Sequence, residues 1–142
     1  MTYYDDKLNI IIQKYIDLID KKDWNTLYRN VRFEDSYFTG KLTEALWSAD
    51  IHPEDDLTKL PDEFLGYSTI TEWTIPNNIK QLGKYCFHSS ALKKIHIPDS
   101  VYDIGVGCFY ASDIEELKLP EELDVIPPCM CEDCEQLRKV YI

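Results

Sequence analysis

Chemistry in this chain would have to come from a few side chains. The tightest cluster is Cys129-x-Cys131-x-x-Cys134. Thiolates bind zinc well, but a four-coordinate site needs a fourth ligand, and no second Cys-x-x-Cys or His-x-x-x-His pair supplies one. The histidines are His52, His88 and His96. None adjoins a nucleophile motif, and Gly-x-Ser-x-Gly is missing, so all three read as surface or coil residues. Gly105-x-Gly107 is too sparse for a phosphate-cradling loop. Glu115-Glu116 and Glu121-Glu122 could supply paired carboxylates for glycoside cleavage only if they faced each other across a pocket. The expectation is a protein with no catalytic residues, no metal and no cofactor.

The charge is more informative. Twenty-six acids against 15 Lys and Arg leave the 142-residue chain at −11, which repels a phosphate backbone and argues against direct nucleic-acid binding. Residues 113–135 carry Asp113, Glu115, Glu116, Glu121, Glu122, Asp124, Glu132, Asp133 and Glu135 against Lys118 alone, a local balance of −8. One reading is a solvated surface. The other is a patch that steers a basic partner, or imitates nucleic-acid charge towards a protein that binds it. No apolar window is long enough to span a membrane. The start, Met1-Thr2-Tyr3-Tyr4-Asp5-Asp6, is acidic where an export signal is basic. A cytoplasmic location is expected, and five cysteines, an odd number, fit it better than a disulfide framework.

The dominant pattern is a period of 22 residues. Ile70-x-x-Trp73-x-Ile75-Pro76-x-x-Ile79-x-x-Leu82-Gly83-x-x-Cys86-Phe87-x-x-Ser90 is followed at that spacing by Leu92-x-x-Ile95-x-Ile97-Pro98-x-x-Val101-x-x-Ile104-Gly105-x-x-Cys108-Phe109-x-x-Ser112. A third copy runs from Ile114 through Leu117, Leu119-Pro120, Leu123, Ile126-Pro127 and Met130-Cys131 to Cys134, and a final strand covers 137–142. A degenerate earlier coil starts at Leu57. In each copy the alternating segment, such as Lys94-Ile95-His96-Ile97, reads as a short strand ended by proline. The Ile-Gly pair reads as a tight bend that uses glycine's dihedral freedom. A single coil cannot bury its apolar side, whereas stacked coils share one interior and one parallel sheet. The register puts Cys86, Cys108 and Met130 in one inward column, Phe87, Phe109 and Cys131 in another, and Ser90, Ser112 and Cys134 in a third. Cys129 points out.

These residues resemble the BspA-like class of leucine-rich repeat, with its Leu-x-x-Ile-x-Ile-Pro-x-x-Val-x-x-Ile-Gly-x-x-Ala-Phe-x-x-Cys-x-x-Leu pattern, over about residues 57–142. Cysteine replaces alanine in two copies, and Met130-Cys131 replaces Ala-Phe in the last. The resemblance implies a curved right-handed solenoid and protein binding, with no catalytic residues to carry over. The Leu42–Ile70 stretch also resembles the front end of small repeat proteins encoded by bacteriophages, which would make the cytoplasm a host's.

Residues 1–56 read as a helical N-terminal cap. Leu8, Ile11, Ile12, Tyr15, Ile16 and Ile19 form one stripe of a helix over about 5–20. Asp23 is the expected N-cap of a second helix bearing Trp24, Leu27, Tyr28 and Val31. A third is expected after Gly40, with Leu42, Ala45, Leu46 and Ala49 inward. The fold expectation is therefore an α/β repeat: a short solenoid over 57–142, with coils starting near 70, 92 and 114, behind a helical unit.

Outward strand positions give two columns by register, Glu72–Lys94–Glu116–Lys139 and Thr74–His96–Lys118–Tyr141. The first alternates in sign, which favours strand pairing, and together they are the candidate protein-binding face. The expected function is a non-catalytic module that binds a protein through this face and the acidic last coil. Two alternatives stand beside it: an acidic, phage-encoded inhibitor of a basic host protein, and a subunit that self-assembles into a homo-oligomer through the C-terminal edge strand.

Overall fold

A computed structural model describes residues 2–142. Four helices come first: α1 (Tyr3–Lys14), α2 (Ile16–Asp20), α3 (Trp24–Val31) and α4 (Tyr37–Ser48). After a 3-10 turn at Pro53–Asp56 come β1 (Lys59–Leu60), β2 (Gln81–Leu82), β3 (Lys94–His96), β4 (Asp103–Ile104), β5 (Glu116–Lys118) and β6 (Lys139–Tyr141). Among the described residues no helix is long and apolar enough to cross a membrane.

The helical stripe is real but broken. Thr2 and Asp5 cap α1 reciprocally, and the helix ends at Tyr15, whose N–H is shared between the Ile11 and Ile12 carbonyls. The Tyr15 hydroxyl and the Lys14 ammonium both donate to Glu34, at 3.1 and 2.9 Å, and hold this corner. Asp23 does cap α3, accepting from the Thr26 N–H. The third helix starts three residues before Gly40 rather than after it. Gly40 lies where α4 crosses the first coil, and a Cβ there would collide with the Gly66 carbonyl. Ala49, expected inward, is exposed, because the helix ends at Ser48 and the chain turns at Asp50, whose φ is 58°.

The coils stack in parallel at the spacing read from the sequence. β3, β5 and β6 pair as Lys94–Glu116–Lys139, Ile95–Leu117–Val140 and His96–Lys118–Tyr141, and a bridge joins Glu72 to Lys94. A second sheet, which the periodicity had not announced, forms where a tight bend was expected: β1, β2 and β4 pair through Lys59–Gln81–Asp103 and Leu60–Leu82–Ile104. Gly83 and Gly105 follow its strands, and neither has a left-handed backbone. They are glycines for room. A Cβ on Gly105 would stand 2.5 Å from the Gly83 carbonyl, and one on Gly83 would stand 2.5 Å from the Asp62 nitrogen. The left-handed bends lie further on, twice per coil: Glu63, Tyr85, Gly107 and Cys129, then Tyr67, Ser89, Ala111 and Asp133.

One continuous core runs from α2–α4 into the coils. Tyr28 packs against Phe64 at 5.5 Å between ring centroids, and Trp47 stacks on Trp73 at 5.3 Å. The Ser68 hydroxyl and the Thr69 N–H donate to Glu44 of α4, at 2.8 and 2.7 Å. Deeper in, Phe87 and Phe109 stack at 5.3 Å and 13°. Cys86 and Cys108 are fully buried beside them, and that burial pushes both thiols up.

The last coil departs from the pattern. Ile126 holds the repeat position of Leu82 and Ile104, yet it is 61% exposed, and Val125 beside it is 68% exposed. Gly83 and Gly105 each donate an N–H to the preceding coil, to the Leu60 and Leu82 carbonyls at 2.8 and 2.9 Å. The residue in their place is Pro127, which has no N–H to give. The second sheet therefore stops at β4. Cys131 and Cys134, expected in the interior columns, are only half-buried.

Two contrasts test this account by urea denaturation. Ile104→Ala should cost about 2–5 kcal/mol, as buried truncations do. Ile126→Ala, at the same repeat position, should cost less than about 0.5 kcal/mol. Gly105→Ala should cost about 1–3 kcal/mol through overpacking against Gly83.

Candidate functional site

The outward residues of β3, β5 and β6 stand in the expected columns, because parallel in-register pairing puts like positions side by side. Glu72, Thr74, Lys94, His96, Lys139 and Tyr141 are exposed, while Glu116 and Lys118 are half-buried. Glu72, Thr74, Lys94, His96, Glu116 and Tyr141 surround a shallow depression of about 320 Å³, and its floor includes Ile95 and the half-buried Trp73. Lys118 and Lys139 lie outside it. Trp73 stands at the repeat position of Ile95 and Leu117, and its half-buried indole packs on Trp47, Phe64 and Phe87.

The charge pairing differs from simple alternation. Lys94 pairs with Glu116 at 3.7 Å, as the column predicts. The next step is made by Arg138, 3.4 Å from Glu116 and 3.7 Å from Glu115, with Lys93 on the far side of Glu115 at 3.6 Å. Lys139 instead holds its ammonium 4.7 Å from the centre of the Tyr141 ring. Arg138 was missed because strand alternation alone turns it away from the column. Its length lets the guanidinium fork reach two carboxylates at once. Such solvent-facing pairs contribute at most about 1 kcal/mol each. Their effect on the surface is larger, since two acids of the 113–135 cluster are neutralised.

The other seven, Asp113, Glu121, Glu122, Asp124, Glu132, Asp133 and Glu135, are exposed. They fall in three segments of the coil: ahead of β5, after Pro120, and in the bend before β6. The negative charge of Asp133 holds the Tyr110 hydroxyl above its ordinary pKa, and Glu132 raises the Cys129 thiol. Cys131 and Cys134 face each other across their turn and titrate together. The Cys134 thiol donates to the Phe109 carbonyl at 2.9 Å and lies 3.6 Å from the Ser112 hydroxyl, and its coupling to Cys131 pulls its own pKa down while Cys131 moves up. Among the described residues, no three His, Cys, Asp or Glu converge as metal ligands.

The histidines occupy three unlike settings. His96 is on the outward face. His52 lies between Asp50 at 3.0 Å and Glu54 at 3.2 Å, and these acceptors raise its pKa, Asp50 most. His88 is buried in a bend, 3.7 Å from Glu63, with no hydrogen bond to Nε2. Burial lowers its pKa. The unfolded chain therefore takes up a proton near the ordinary value of about 6.5 while the folded chain resists it. Stability from His88 staying neutral is present above about pH 6.5 and is lost as pH falls towards the lower folded value. In His88→Gln, the fall in urea stability between about pH 7 and 5.5 should be shallower than in wild type. His52 contributes equally to both proteins, so the difference reports His88 together with the Glu63 carboxyl 3.7 Å away, whose pKa burial raises.

The comparisons with known proteins come to one positive finding. No curated protein and no solved structure gives a significant match to the chain. The family model of the BspA type leucine rich repeat region matches residues 50–142 in six copies, starting ahead of the coil at Leu57 and running through β6. That is nearly two thirds of the chain, and the matched residues include the coils whose sheets, bends and shared interior are described above. The chain belongs to the BspA type leucine rich repeat family.

Proposed function

We propose that the chain is a non-catalytic protein-interaction module that docks a protein partner on the outward face of β3–β5–β6 and on the acidic last coil. Leucine-rich repeats are in general protein-interaction modules. The observation that carries the reading is the depression on the sheet, where Trp73, His96 and Tyr141 surround an ion-paired column of long polar side chains. Aromatic anchors within a polar rim are the usual anatomy of a docking surface. Strands about 4.8 Å apart make this face too small alone for a stable interface of about 800 Å² per partner. The exposed acids after Pro120 and in the last bend extend it.

In this reading the helical unit 1–56 caps the solenoid 57–142. The packing of Tyr28 and Trp47 on Phe64 supports that, and a right-handed winding accords with the family. The inhibitor reading is less well supported, because Glu115 and Glu116 are engaged by Lys93, Lys94 and Arg138. Self-association through β6 is a second reading, favoured by the exposure of Val125, Ile126 and Val140.

Affinity capture from lysate tests the proposal when wild type is compared with two folded variants. Trp73→Ala/Lys94→Glu/Tyr141→Ala should lose the captured protein by about tenfold or more, the size of a hot-spot loss. A Glu121→Gln/Glu122→Gln/Asp124→Asn variant should weaken capture at low salt and converge on wild type at high salt. Equal capture by all three proteins would remove the sheet face from the account.

A further inference from the structure

A second surface lies on the bends. Six rings form an unbroken band from α1 across α4 to the coil that starts at Leu92. Tyr4 meets Tyr37 at 4.9 Å between centroids, Tyr37 meets Tyr67 at 5.7 Å, and Tyr67 meets His88 at 5.0 Å. His88 meets Tyr85 at 5.9 Å, and Tyr85 meets Tyr110 at 6.4 Å. The last three contacts are close to perpendicular, at 81°, 84° and 85°, so edges and faces alternate along the band. Tyr67 and Tyr85 are each 39% exposed, and Tyr4 is more exposed still.

The repeat does not call for tyrosine at these places. The position of Tyr67 is filled by Ser89, Ala111 and Asp133 in the other coils, and that of Tyr85 by Glu63, Gly107 and Cys129. Tyr110 answers to Gly66, His88 and Glu132. Three tyrosines from three different repeat positions thus converge where the coil itself accepts almost any side chain. Two of them also sit at left-handed backbone, with φ of 59° for Tyr67 and 53° for Tyr85, a conformation that disfavours bulky residues. Every coil has left-handed backbone at these two positions, so the fold fixes the backbone there and leaves the side chain open.

We propose that this tyrosine band is a docking surface for an extended, proline- and arginine-bearing segment of a partner protein. The proposal rests on the protein-interaction reading but not on the sheet face. A polyproline II segment is preformed, makes no internal hydrogen bonds, and docks against aromatic rings with its carbonyls free to accept from hydroxyls. Tyrosine supplies both the rings and the hydroxyls. Charge selects arginine within that class. Asp133 and Glu132 place negative charge beside Tyr110, and Glu63 stands 3.7 Å from His88, in a depression that Tyr85 shares with Arg32 and Lys84. The whole chain is at −11, so the acid excess on the band is greatest at its Tyr110 end. The rings already accept a cation, since the Lys41 ammonium lies 5.4 Å from the centre of the Tyr37 ring.

The test is calorimetric titration of the full chain with two synthetic peptides, acetyl-(Pro-Pro-Arg)4-amide and acetyl-(Pro-Pro-Glu)4-amide, with the tyrosine ring resonances followed by NMR. The arginine peptide should bind about tenfold or more tightly than the glutamate peptide and shift the Tyr67, Tyr85 and Tyr110 signals. A Tyr67→Asn/Tyr85→Gly variant, whose new residues suit left-handed backbone, should keep a cooperative melt and lose about tenfold in affinity. The sheet-face variant Trp73→Ala/Lys94→Glu/Tyr141→Ala should bind the arginine peptide as wild type does. Absence of saturable binding, equal binding of the two peptides, or full affinity in the folded Tyr67/Tyr85 variant would each overturn the proposal. Loss of binding in the sheet-face variant alone would overturn its placement on the bends while leaving the protein-interaction reading standing.

Discussion

Every coil is hung on its neighbour by backbone hydrogen bonds, and the direction of donation is different on different sides. On the bend side the earlier coil donates to the later: Leu65 to Cys86, Phe87 to Cys108 and Phe109 to Met130, each at 2.8 Å. At the second sheet the later coil donates to the earlier, as Gly83 does to Leu60 and Gly105 to Leu82. These columns force equivalent backbone atoms to lie above one another. A residue type that suits one coil therefore suits the next, and the side chains beneath form aligned ladders. Interior stacking of Phe87 on Phe109, the absence of Cβ atoms at Gly83 and Gly105, and the cross-strand pair of Lys94 with Glu116 all follow from that alignment.

The same constraint explains which parts of the fold were legible. Alternation and the 22-residue spacing gave the register of β3, β5 and β6 residue by residue, including the extra residue before β6. Burial of Cys86 and Cys108 followed from register alone. The second sheet was not legible, because its strands are two residues long and too short to show alternation. Its glycines suggested a bend, the commonest use of glycine, when their purpose here is the close approach of stacked backbones. The end of that sheet was written in the sequence as Pro127, but only the hydrogen bonds of Gly83 and Gly105 give the proline its meaning.

Surface chemistry was harder to read than the core. The outward columns were placed correctly, yet side-chain length decided the actual pairing, and Arg138 took the role that alternation gave to Lys139. Trp73 is only half-buried at a position that is aliphatic in the next two coils. The tyrosine band escaped notice for a different reason. Its members share neither a repeat position nor a helical stripe, and only the folded bends bring them side by side.

Pro127 also gives the array a polarity. The coil nearest the helices is clamped by Glu44 and by the Asn78 amide, which bonds the Glu54 and Leu57 carbonyls. The coil that begins at Ile114 lacks counterparts of the backbone bonds that Tyr102 and Gly105 give to the coil before them, and has a bared aliphatic flank. In a stack where each layer leans only on its neighbours, fraying begins at the weaker end and zips inward, so the acidic coil breathes on a faster clock than the layers that anchor it.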